Sequence, residues 1–378
     1  MTVGPVRTFQ PQSIGVAGNP AGEILYALRK PVSREPGRNL PPFSYFYFRQ
    51  PVSAQGLAKE RPSRVFLPAE VVSKLRLDTD PYGLYYSPSG KYLVVTVPLE
   101  TGELTYVIDL RTYRLIGAPF TEYGDGFFYG WHPDGEHFLF GVYMVAIWLV
   151  DAKTLEATEL VTLQGTQFFL GAAISPDGKQ VAYATGNYDF GDRLWIASIP
   201  ESDARTPVPG GGFTQLYPGS WSPDSILLAY SGYCEEPTTG EERPRRSLCI
   251  FDRRTGEVTD LQTMANGTTA WSPDGRYLAV MGWDPEVEQC SGDLSLEDLD
   301  CYYQGQAIYL IDLQTGENRK LVSGILPTWS PDGSMLAFLA YENGANDVWT
   351  IRIADNELSQ ITSDGAPKAF SLQWFTEK

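Results

Sequence analysis

Hydrophobic and polar residues alternate in short runs along most of the chain. The alternation is clearest in Ile308-Tyr309-Leu310-Ile311-Asp312-Leu313, and a short apolar run, Ala146-Ile147-Trp148-Leu149-Val150-Asp151, also has the length of a strand. A period of two is typical of β-strands with one face buried, and the runs are too short for the helices of a bundle. Similar runs recur at residues 106–110, 194–197 and 348–351. The pattern predicts an all-β protein of many short strands.

A turn tetrapeptide close to Ser-Pro-Asp-Gly recurs at the same phase of these runs. In such a turn Pro fixes the backbone, Asp accepts hydrogen bonds from nearby amides and Gly takes the left-handed conformation. The copies from residue 87 onward are 43 to 58 residues apart, and the first copy lies 68 residues before residue 87; such a recurrence predicts a repeat architecture. The copies lie at residues 19–22, 87–90, 132–135, 175–178, 222–225, 272–275 and 330–333.

Each unit contains four predicted strands. In one of them a first strand ends at Trp271, the turn follows, and a second strand begins at Arg276. The third strand is Ala307–Leu313, and Gln314-Thr315-Gly316-Glu317 turns the chain into a fourth strand near 318–322. Four antiparallel strands of this size form one blade of a β-propeller.

The two ends of the chain decide the number of blades. The turn at 19–22 is followed by predicted strands at 23–28, 43–48 and 64–67, and residues 370–375 match a first strand with nothing after it. We therefore predict one propeller domain over residues 1–378, with seven four-stranded blades. Strand 370–375 would complete the N-terminal blade, which removes exposed sheet edges. Six blades with an N-terminal extension is the alternative.

The sequence Trp-Ser-Pro-Asp-Gly followed by Arg/Lys-x-Leu-Ala resembles the repeat of the TolB-like, or WD40-like PD40, β-propeller family. The resemblance covers roughly residues 15–375 and is carried by five strong and two weak copies of the motif. It implies the fold of periplasmic TolB and of the propeller domains attached to prolyl-oligopeptidase-type peptidases. It implies no reaction, because the motif is a structural turn and function depends on a site carried by the scaffold.

Charge excludes several classes of partner. The net charge is −17 and the sequence pI is about 4.6. Nucleic acids and anionic lipid surfaces attract clustered Lys and Arg, so neither is an expected partner. No apolar run is long enough to span a bilayer, so no membrane insertion is expected. The sequence leaves the oligomeric state open.

The four cysteines fall into two local pairs, Cys234–Cys249 and Cys290–Cys301. Two short-range pairs fit two disulfides and an oxidising compartment, periplasmic, secreted or at the cell surface. Residues 1–10 lack the basic and apolar segments of a signal peptide, so export would need a signal outside the sequence. The alternative is four free thiols in a cytosolic protein.

Four predicted loops are longer than the rest and connect second to third strands, on the propeller face opposite the motif turns. Long loops in compact domains are often functional. Three of them belong to consecutive blades, so we expect one raised rim that binds a ligand. The four loops lie at residues 30–42, 185–192, 233–246 and 282–305.

The loop at 282–305 is the most acidic segment and contains no Lys or Arg. Three interpretations stay open: a docking surface for a basic partner, a Ca²⁺ site, or a solvated acidic loop held by a disulfide. No Asp-x-Asp-x-Asp-Gly spacing supports the calcium hypothesis, and no other cofactor is indicated. The candidate binding residues are Tyr233, Trp283, Asp284, Glu286, Glu288, Asp293, Glu297, Asp298, Asp300, Tyr302 and Tyr303.

The sequence contains no catalytic signature. Only two histidines are present, His132 and His137, and no Cys-x-x-Cys occurs, so a zinc site is disfavoured. No Gly-x-Ser-x-Gly nucleophile elbow and no phosphate-binding loop is present. His132 occupies a turn position that is Ser in most other units, which we interpret as a surface substitution.

These observations predict a non-catalytic, extracytoplasmic scaffold that binds a protein or peptide on its long-looped face. One alternative is a hydrolase or lyase acting on saccharide or peptide, with Ca²⁺ as a possible aid. The other is a structural domain of a surface protein or assembly.

Overall fold

The computed structural model describes most of the predicted strands and turns. The described residues are 22–31, 43–53, 55–67, 83–98, 103–119, 126–142, 145–163, 167–187, 193–199, 205–215, 221–235, 247–263, 268–284, 286, 305–342, 345–364 and 368–375. Within these ranges all regular structure is β-strand, and no helix long and apolar enough to cross a membrane is found.

The described strands form seven four-stranded antiparallel sheets, the blades of a seven-bladed β-propeller. In every blade the order of the sheet follows the order of the chain, apart from the blade that joins the two termini. Neighbours along the chain therefore pair as hairpins. We number the blades 1 to 7 by the position of their second strand.

Blades 6, 7 and 1 belong to one compact unit, which comprises the described residues of Met1–Phe66 and Ala265–Lys378. Their strands, from first to fourth, are β20 (Thr269–Trp271), β21 (Tyr277–Trp283), β22 (Gln306–Asp312) and β23 (Glu317–Ser323) in blade 6, β24 (Ile325–Trp329), β25 (Met335–Glu342), β26 (Ala345–Arg352) and β27 (Leu358–Gln360) in blade 7, and β28 (Lys368–Phe375), β1 (Gly22–Pro31), β2 (Phe43–Val52) and β3 (Ser63–Arg64) in blade 1.

Blades 2 to 5 belong to the second compact unit, Leu67–Met264. Their strands are β4 (Gly83–Tyr86), β5 (Tyr92–Pro98), β6 (Glu103–Asp109) and β7 (Arg114–Gly117), then β8 (Gly126–Trp131), β9 (His137–Val142), β10 (Ala146–Asp151) and β11 (Ala157–Thr162), then β12 (Gln167–Ile174), β13 (Gln180–Asn187), β14 (Arg193–Ser198) and β15 (Arg205–Pro207), then β16 (Gly211–Gln215), β17 (Leu227–Tyr233), β18 (Ser247–Asp252) and β19 (Glu257–Asp260).

The N-terminal blade is completed by the C-terminal strand. Strand β28 pairs antiparallel with β1, with Trp374 opposite Ile24 and Phe375 opposite Glu23. The prediction of seven blades, closed by the strand at 370–375, is confirmed, and the six-blade alternative is excluded. The last strand of this blade is shorter than the predicted 64–67. The prediction of a single domain over residues 1–378 stays a prediction.

In blades 4 to 7 the repeated turn is held by the same side-chain bonds. In blade 4, Ser175 Oγ donates to Asp177 Oδ1 at 2.5 Å and accepts the amide N–H of Gln180 at 3.0 Å, while Asp177 Oδ1 accepts the N–H of Lys179 at 3.0 Å. Blades 5, 6 and 7 repeat the Ser–Asp bond at 2.6, 2.5 and 2.7 Å. These bonds satisfy the amides that the turn would otherwise leave unpaired.

The turn and the strand connection lie at opposite ends of a blade. We call the end with the motif turn the motif end, and the end that connects the second to the third strand the loop end. Apolar side chains fill the layers between neighbouring blades. In one unit Ile24 and Trp374 of blade 1 pack with Leu339 of blade 7 and Met281 of blade 6. In the other, Phe138 and Trp148 of blade 3 pack with Val94 of blade 2.

Candidate functional site

The acidic loop predicted from the sequence begins and ends at one point, the loop end of blade 6. The register of β21 and β22 ends with Trp283 opposite Gln306. The amide N–H of Asp284 then donates to the carbonyl oxygen of Gly305 at 2.8 Å. The two ends of the loop are thus hydrogen-bonded to each other, and the sheet below fixes their position.

Asp284 is buried at this point, with 2% of its surface exposed. Its Oδ2 lies 2.8 Å from Lys320 Nζ and accepts a hydrogen bond from Ser323 Oγ at 3.2 Å, and its Oδ1 accepts the N–H of Glu286 at 3.1 Å. Burial by itself would raise the pKa of Asp284, but these bonds favour the anion and hold the pKa below its ordinary value. Asp284 therefore anchors the loop and offers no free carboxylate to an incoming cation.

Lys320 joins the buried acid to an exposed one. Its Nζ also lies 3.1 Å from Glu286 Oε2, and 78% of the Glu286 side chain is exposed. The hydrogen bond to Asp284, together with that to Glu286, raises the pKa of Lys320. The carboxylates of Asp284 and Glu286 share the single ammonium group of Lys320, so this group of three side chains at the start of the loop (the loop root) carries a net negative charge.

A hydrogen bond between two aromatic residues also holds the start of the loop. The Tyr309 hydroxyl donates to the carbonyl oxygen of Trp283 at 2.8 Å, and the Trp283 ring is half-buried. Burial raises the pKa of Tyr309, and the negative charge of Asp284 adds to this effect. The hydroxyl is therefore a neutral donor at physiological pH, and its bond fixes the strand end from which Asp284 extends.

Three polar side chains at this loop end have no hydrogen-bond partner among the described residues. Gln306 is fully buried, and neither its amide nitrogen nor its amide oxygen is paired. Thr268 Oγ1 and Thr269 Oγ1, at the start of β20, are also buried and unpaired. A buried polar group without a partner costs about 1–3 kcal/mol, so such groups are often found where a ligand supplies the missing bond.

The predicted loop at 233–246 begins at the loop end of blade 5. Cys234, directly after β17, is disulfide-bonded to Cys249 in β18, with their Cα atoms 5.4 Å apart. This pairing confirms the prediction from the sequence. Tyr233 is half-buried beside it, and a Cβ on Gly210 would lie 2.3 Å from the Tyr233 carbonyl oxygen, so the backbones meet where only glycine fits.

The remaining predicted site residues lie outside the described residues. They are Glu288, Asp293, Glu297, Asp298, Asp300, Tyr302 and Tyr303, together with the predicted Cys290–Cys301 disulfide. The structure thus brings Trp283, Asp284 and Glu286 together at the loop end of blade 6. The proposed rim of several loops stays a prediction.

Four residues of this site were missed in the sequence: Lys320, Ser323, Tyr309 and Gln306. All four belong to the third and fourth strands, which the repeat pattern assigns to the scaffold. Lys320 and Ser323 near the end of a fourth strand were the available signal, but they point to Asp284 only once the strand register is known.

Several aspartates elsewhere accept hydrogen bonds from turn amides. Among the described residues, every carboxyl whose pKa is displaced has it displaced downward. Burial by itself would raise most of these pKa values, but turn amides donate to each carboxylate and favour the anion. They are Asp109, Asp134, Asp151, Asp177, Asp252, Asp284, Asp312 and Asp355.

One group of side chains in the described part of the chain has the donors to hold a metal ion. It consists of His132, Asp134 and His137, at the motif end of blade 3. The interpretation of His132 as a simple surface substitution does not describe its environment, because 17% of its side chain is exposed and its ring contacts the next blade.

No protein-family model and no curated protein sequence matches the chain. Among solved structures it is similar to a prolyl endopeptidase, at 12% identity and a TM-score of 0.58, over 91% of this chain and 50% of that one. An oligogalacturonate lyase from Vibrio parahaemolyticus matches at 13% identity and a TM-score of 0.53, over 90% and 85% of the two chains. TolB from Acinetobacter baumannii matches at 13% identity and a TM-score of 0.46, over 100% and 88%.

These similarities support the propeller fold and nothing finer. The identities are too low to carry an activity from one chain to the other, and the TolB superposition is too loose to add to the argument. The propeller fold that the motif implies is confirmed by the strand pairing of the chain itself. Membership in that repeat family stays a prediction.

Proposed function

We propose that the protein is a non-catalytic, extracytoplasmic scaffold that docks a basic segment of a protein partner at the loop end of blade 6. The observation that carries the proposal is the anchoring of Asp284 by Lys320 and Ser323. Lys320 contacts both Asp284 and Glu286, so one ammonium group compensates two carboxylates and one negative charge is left over.

The charge balance of the loop favours a cationic partner. The segment 282–305 holds seven acids and no Lys or Arg, against the single Lys320 at its root. A dense patch of one sign accelerates the encounter with a partner of the opposite sign. The aromatic residues at the ends of the segment, Trp283, Tyr302 and Tyr303, provide anchors of the kind enriched in protein interfaces.

The unpaired side chains next to the anchor suit a peptide. Gln306, Thr268 and Thr269 together offer amide and hydroxyl groups that are buried and without partners among the described residues. Because these atoms are buried in the free protein, the backbone N–H and C=O groups of a docked segment would complete their bonds only after the ends of the loop separate. A peptide that does so gains the energy that the free protein lacks.

The lowered pKa values weigh against a role as general acid for the carboxyls that carry them. A general acid at neutral pH needs a raised carboxyl pKa. The displaced carboxyls in the described ranges, Asp134 and Asp284 among them, have a lowered pKa instead. The hydrolase or lyase hypothesis would have to use other groups.

The Cys234–Cys249 bond supports the proposed compartment. Disulfides persist in oxidising surroundings and are rare in the cytosol. An extracytoplasmic scaffold would keep this bond throughout its life.

The test compares two sets of charge-neutralising substitutions. One replaces Glu288, Asp293, Glu297 and Asp298 by their amides, and the matched control does the same to the exposed Glu60, Glu156, Glu257 and Glu317. Both variants have the same net charge. The ligand is a short fluorescein-labelled peptide of alternating lysine and tyrosine, and binding is measured by anisotropy at about 50 mM and about 200 mM salt.

The loop variant should bind roughly tenfold more weakly than the wild type, because each lost ion pair at the surface contributes a few tenths of a kcal/mol. The control variant should stay within about twofold. Equal losses in both variants would mean that net charge alone attracts the peptide, and the proposed site would be wrong.

A further inference from the structure

The motif turn of blade 3 differs from the other turns in its first residue. In blades 4 to 7 this residue is a serine whose hydroxyl donates to the turn aspartate. In blade 3 it is His132, and a second imidazole, His137, begins the following strand. Two imidazoles and one carboxylate therefore meet where the other turns have a hydroxyl and a carboxylate.

Asp134 presents one oxygen to both rings. Its Oδ2 lies 3.0 Å from His132 Nδ1 and 2.8 Å from His137 Nδ1. Its other oxygen, Oδ1, accepts the amide N–H groups of Glu136 at 2.8 Å and His137 at 3.0 Å. The turn backbone thus fixes the orientation of the carboxylate and leaves Oδ2 for the imidazoles.

The tautomer of His132 is set from the neighbouring blade. Its Nε2 lies 3.0 Å from the carbonyl oxygen of Gly178, which only accepts hydrogen bonds, so Nε2 carries a proton. In the neutral ring Nδ1 then has one lone pair, which accepts a long hydrogen bond of 3.3 Å from the backbone N–H of Asp134; a metal ion bound at Nδ1 would replace this bond. This lone pair faces an anionic oxygen, an arrangement that calls for a cation between them.

The surroundings of the two rings match those of metal-bound histidines. Such histidines commonly donate their second ring N–H to a carbonyl or a carboxylate, which fixes the ring and raises its basicity. Gly178 supplies the carbonyl for His132, and Asp151 Oδ2 lies 3.8 Å from Nε2 of His137. All three side chains of the cluster are partly exposed, which gives an ion access from solvent.

We propose that His132 Nδ1, His137 Nδ1 and Asp134 Oδ2 bind a divalent transition-metal ion of the zinc class, with a fourth position open to solvent. Two imidazoles and a carboxylate are the ligands of zinc and its neighbours, whereas Ca²⁺ takes oxygen ligands. Donors bound to one zinc at about 2.0–2.1 Å lie roughly 3.3 Å apart. The two Nδ1 atoms lie 3.0 and 2.8 Å from Asp134 Oδ2, and all three donor atoms lie within 4.8 Å of one another.

Binding would connect two blades of one unit. The ion would hold His132, and His132 holds the turn of blade 4 through Gly178. This site lies at a motif end, so it is independent of the docking proposed at the loop end of blade 6.

The test is zinc binding by tag-free protein, measured by calorimetry with zinc chloride and by the visible absorption of the cobalt-substituted protein. The variants are His132→Ser, which restores the usual motif residue, and Asp134→Asn. Asp177→Asn is the matched control, because Asp177 occupies the same turn position in blade 4 beside a serine. Circular dichroism and thermal unfolding of each variant verify the fold.

We expect one zinc ion per chain. Affinity should fall by at least about 100-fold in His132→Ser and in Asp134→Asn, because each removes one of three protein ligands, and should be retained in Asp177→Asn. Absence of zinc binding by the wild type would overturn the proposal. Equal zinc affinity in the wild type and in both ligand variants would overturn it too.

Discussion

Trp221 Nε1 donates a hydrogen bond to the carbonyl oxygen of Ala173, 48 residues earlier, at 3.1 Å. The tryptophan directly precedes the motif turn of blade 5, and Ala173 lies in the first strand of blade 4. The same bond recurs between Trp131 and Tyr85 at 2.8 Å and between Trp329 and Ala270 at 2.9 Å. The tryptophan of the repeat therefore joins its blade to the preceding one, while the Ser-Pro-Asp-Gly part holds the turn.

Trp221→Phe should lower the free energy of unfolding by about 1–3 kcal/mol, because it keeps the aromatic packing and leaves a buried carbonyl without its partner. Urea unfolding followed by circular dichroism measures the change. Trp349→Phe is the control, since Trp349 Nε1 is buried with no hydrogen-bond partner among the described residues. Its loss should be neutral or slightly stabilising. A similar cost for both substitutions would show that ring shape matters and the inter-blade bond does not.

Lys320→Met should lower the free energy of unfolding by about 1–3 kcal/mol, because it leaves the buried carboxylate of Asp284 without its cationic partner. The value lies below that of a fully buried ion pair, since a third of the Lys320 side chain reaches solvent. Combining it with Asp284→Asn should recover part of the loss. Lys91→Met removes an exposed pair with Glu136 at 2.6 Å and should change stability little. Equal costs for the two lysines would contradict the anchor.

The stabilisation from Asp284 should depend on pH in the acid range. Its pKa is lower in the folded protein than the value of about 3.9 expected in the unfolded chain. The folded state then binds the proton more weakly, so the stabilisation is complete above pH 4 and is lost as the pH falls through the folded pKa. Urea unfolding from pH 7 to pH 3 should show the wild type approaching Asp284→Asn at the acid end. A constant difference between them would mean that the carboxylate charge is not involved.

The sequence predicts the blades because turns and strands are local. Pro, Asp and Gly of the motif determine the turn within a few residues, and Trp374 lies at the repeat distance from Trp329, which identifies the closing strand. The contact of Lys320 with Asp284 is different, because it depends on strand register. Strands β22 and β23 shift register between Ile308 and Tyr309, which places Lys320 opposite Tyr309. Alternation along one strand does not reveal such a bulge.

The environment of His132 also could not be predicted from the sequence pattern. The sequence shows that a histidine replaces the usual serine at this position. The hydrogen-bond partner of His132, however, is the backbone carbonyl of Gly178 in the next blade. Backbone groups carry no sequence signal. The packing of one turn against the next therefore had to be observed in the structure.

Replacing both Cys234 and Cys249 by alanine should lower the free energy of unfolding by about 3 kcal/mol. The bond joins residues 15 apart in the sequence. A cross-link of this span lowers the conformational entropy of the unfolded chain and so raises its free energy by about 3 kcal/mol. Urea unfolding without reductant measures the difference. With reductant present the wild type should approach the variant. A wild type that is no more stable than the variant without reductant would contradict a structural role for the bond.

Gly178→Ala should destabilise the protein more than Gly256→Ala, although the two glycines have nearly the same backbone, with φ of +71° and +73°. Either substitution places a Cβ in the left-handed region, at a cost of about 1–2 kcal/mol. At Gly256 the Cβ would meet nothing within 4 Å, whereas at Gly178 it would lie 2.4 Å from His132 Nε2. The difference between the two losses in the free energy of unfolding, measured by urea unfolding, reports the contact between the turns of blades 3 and 4. In a His132→Ala background it should shrink. Equal costs at the two positions, or an excess that persists without the imidazole, would mean that the close approach of His132 to the Gly178 turn does not contribute to stability.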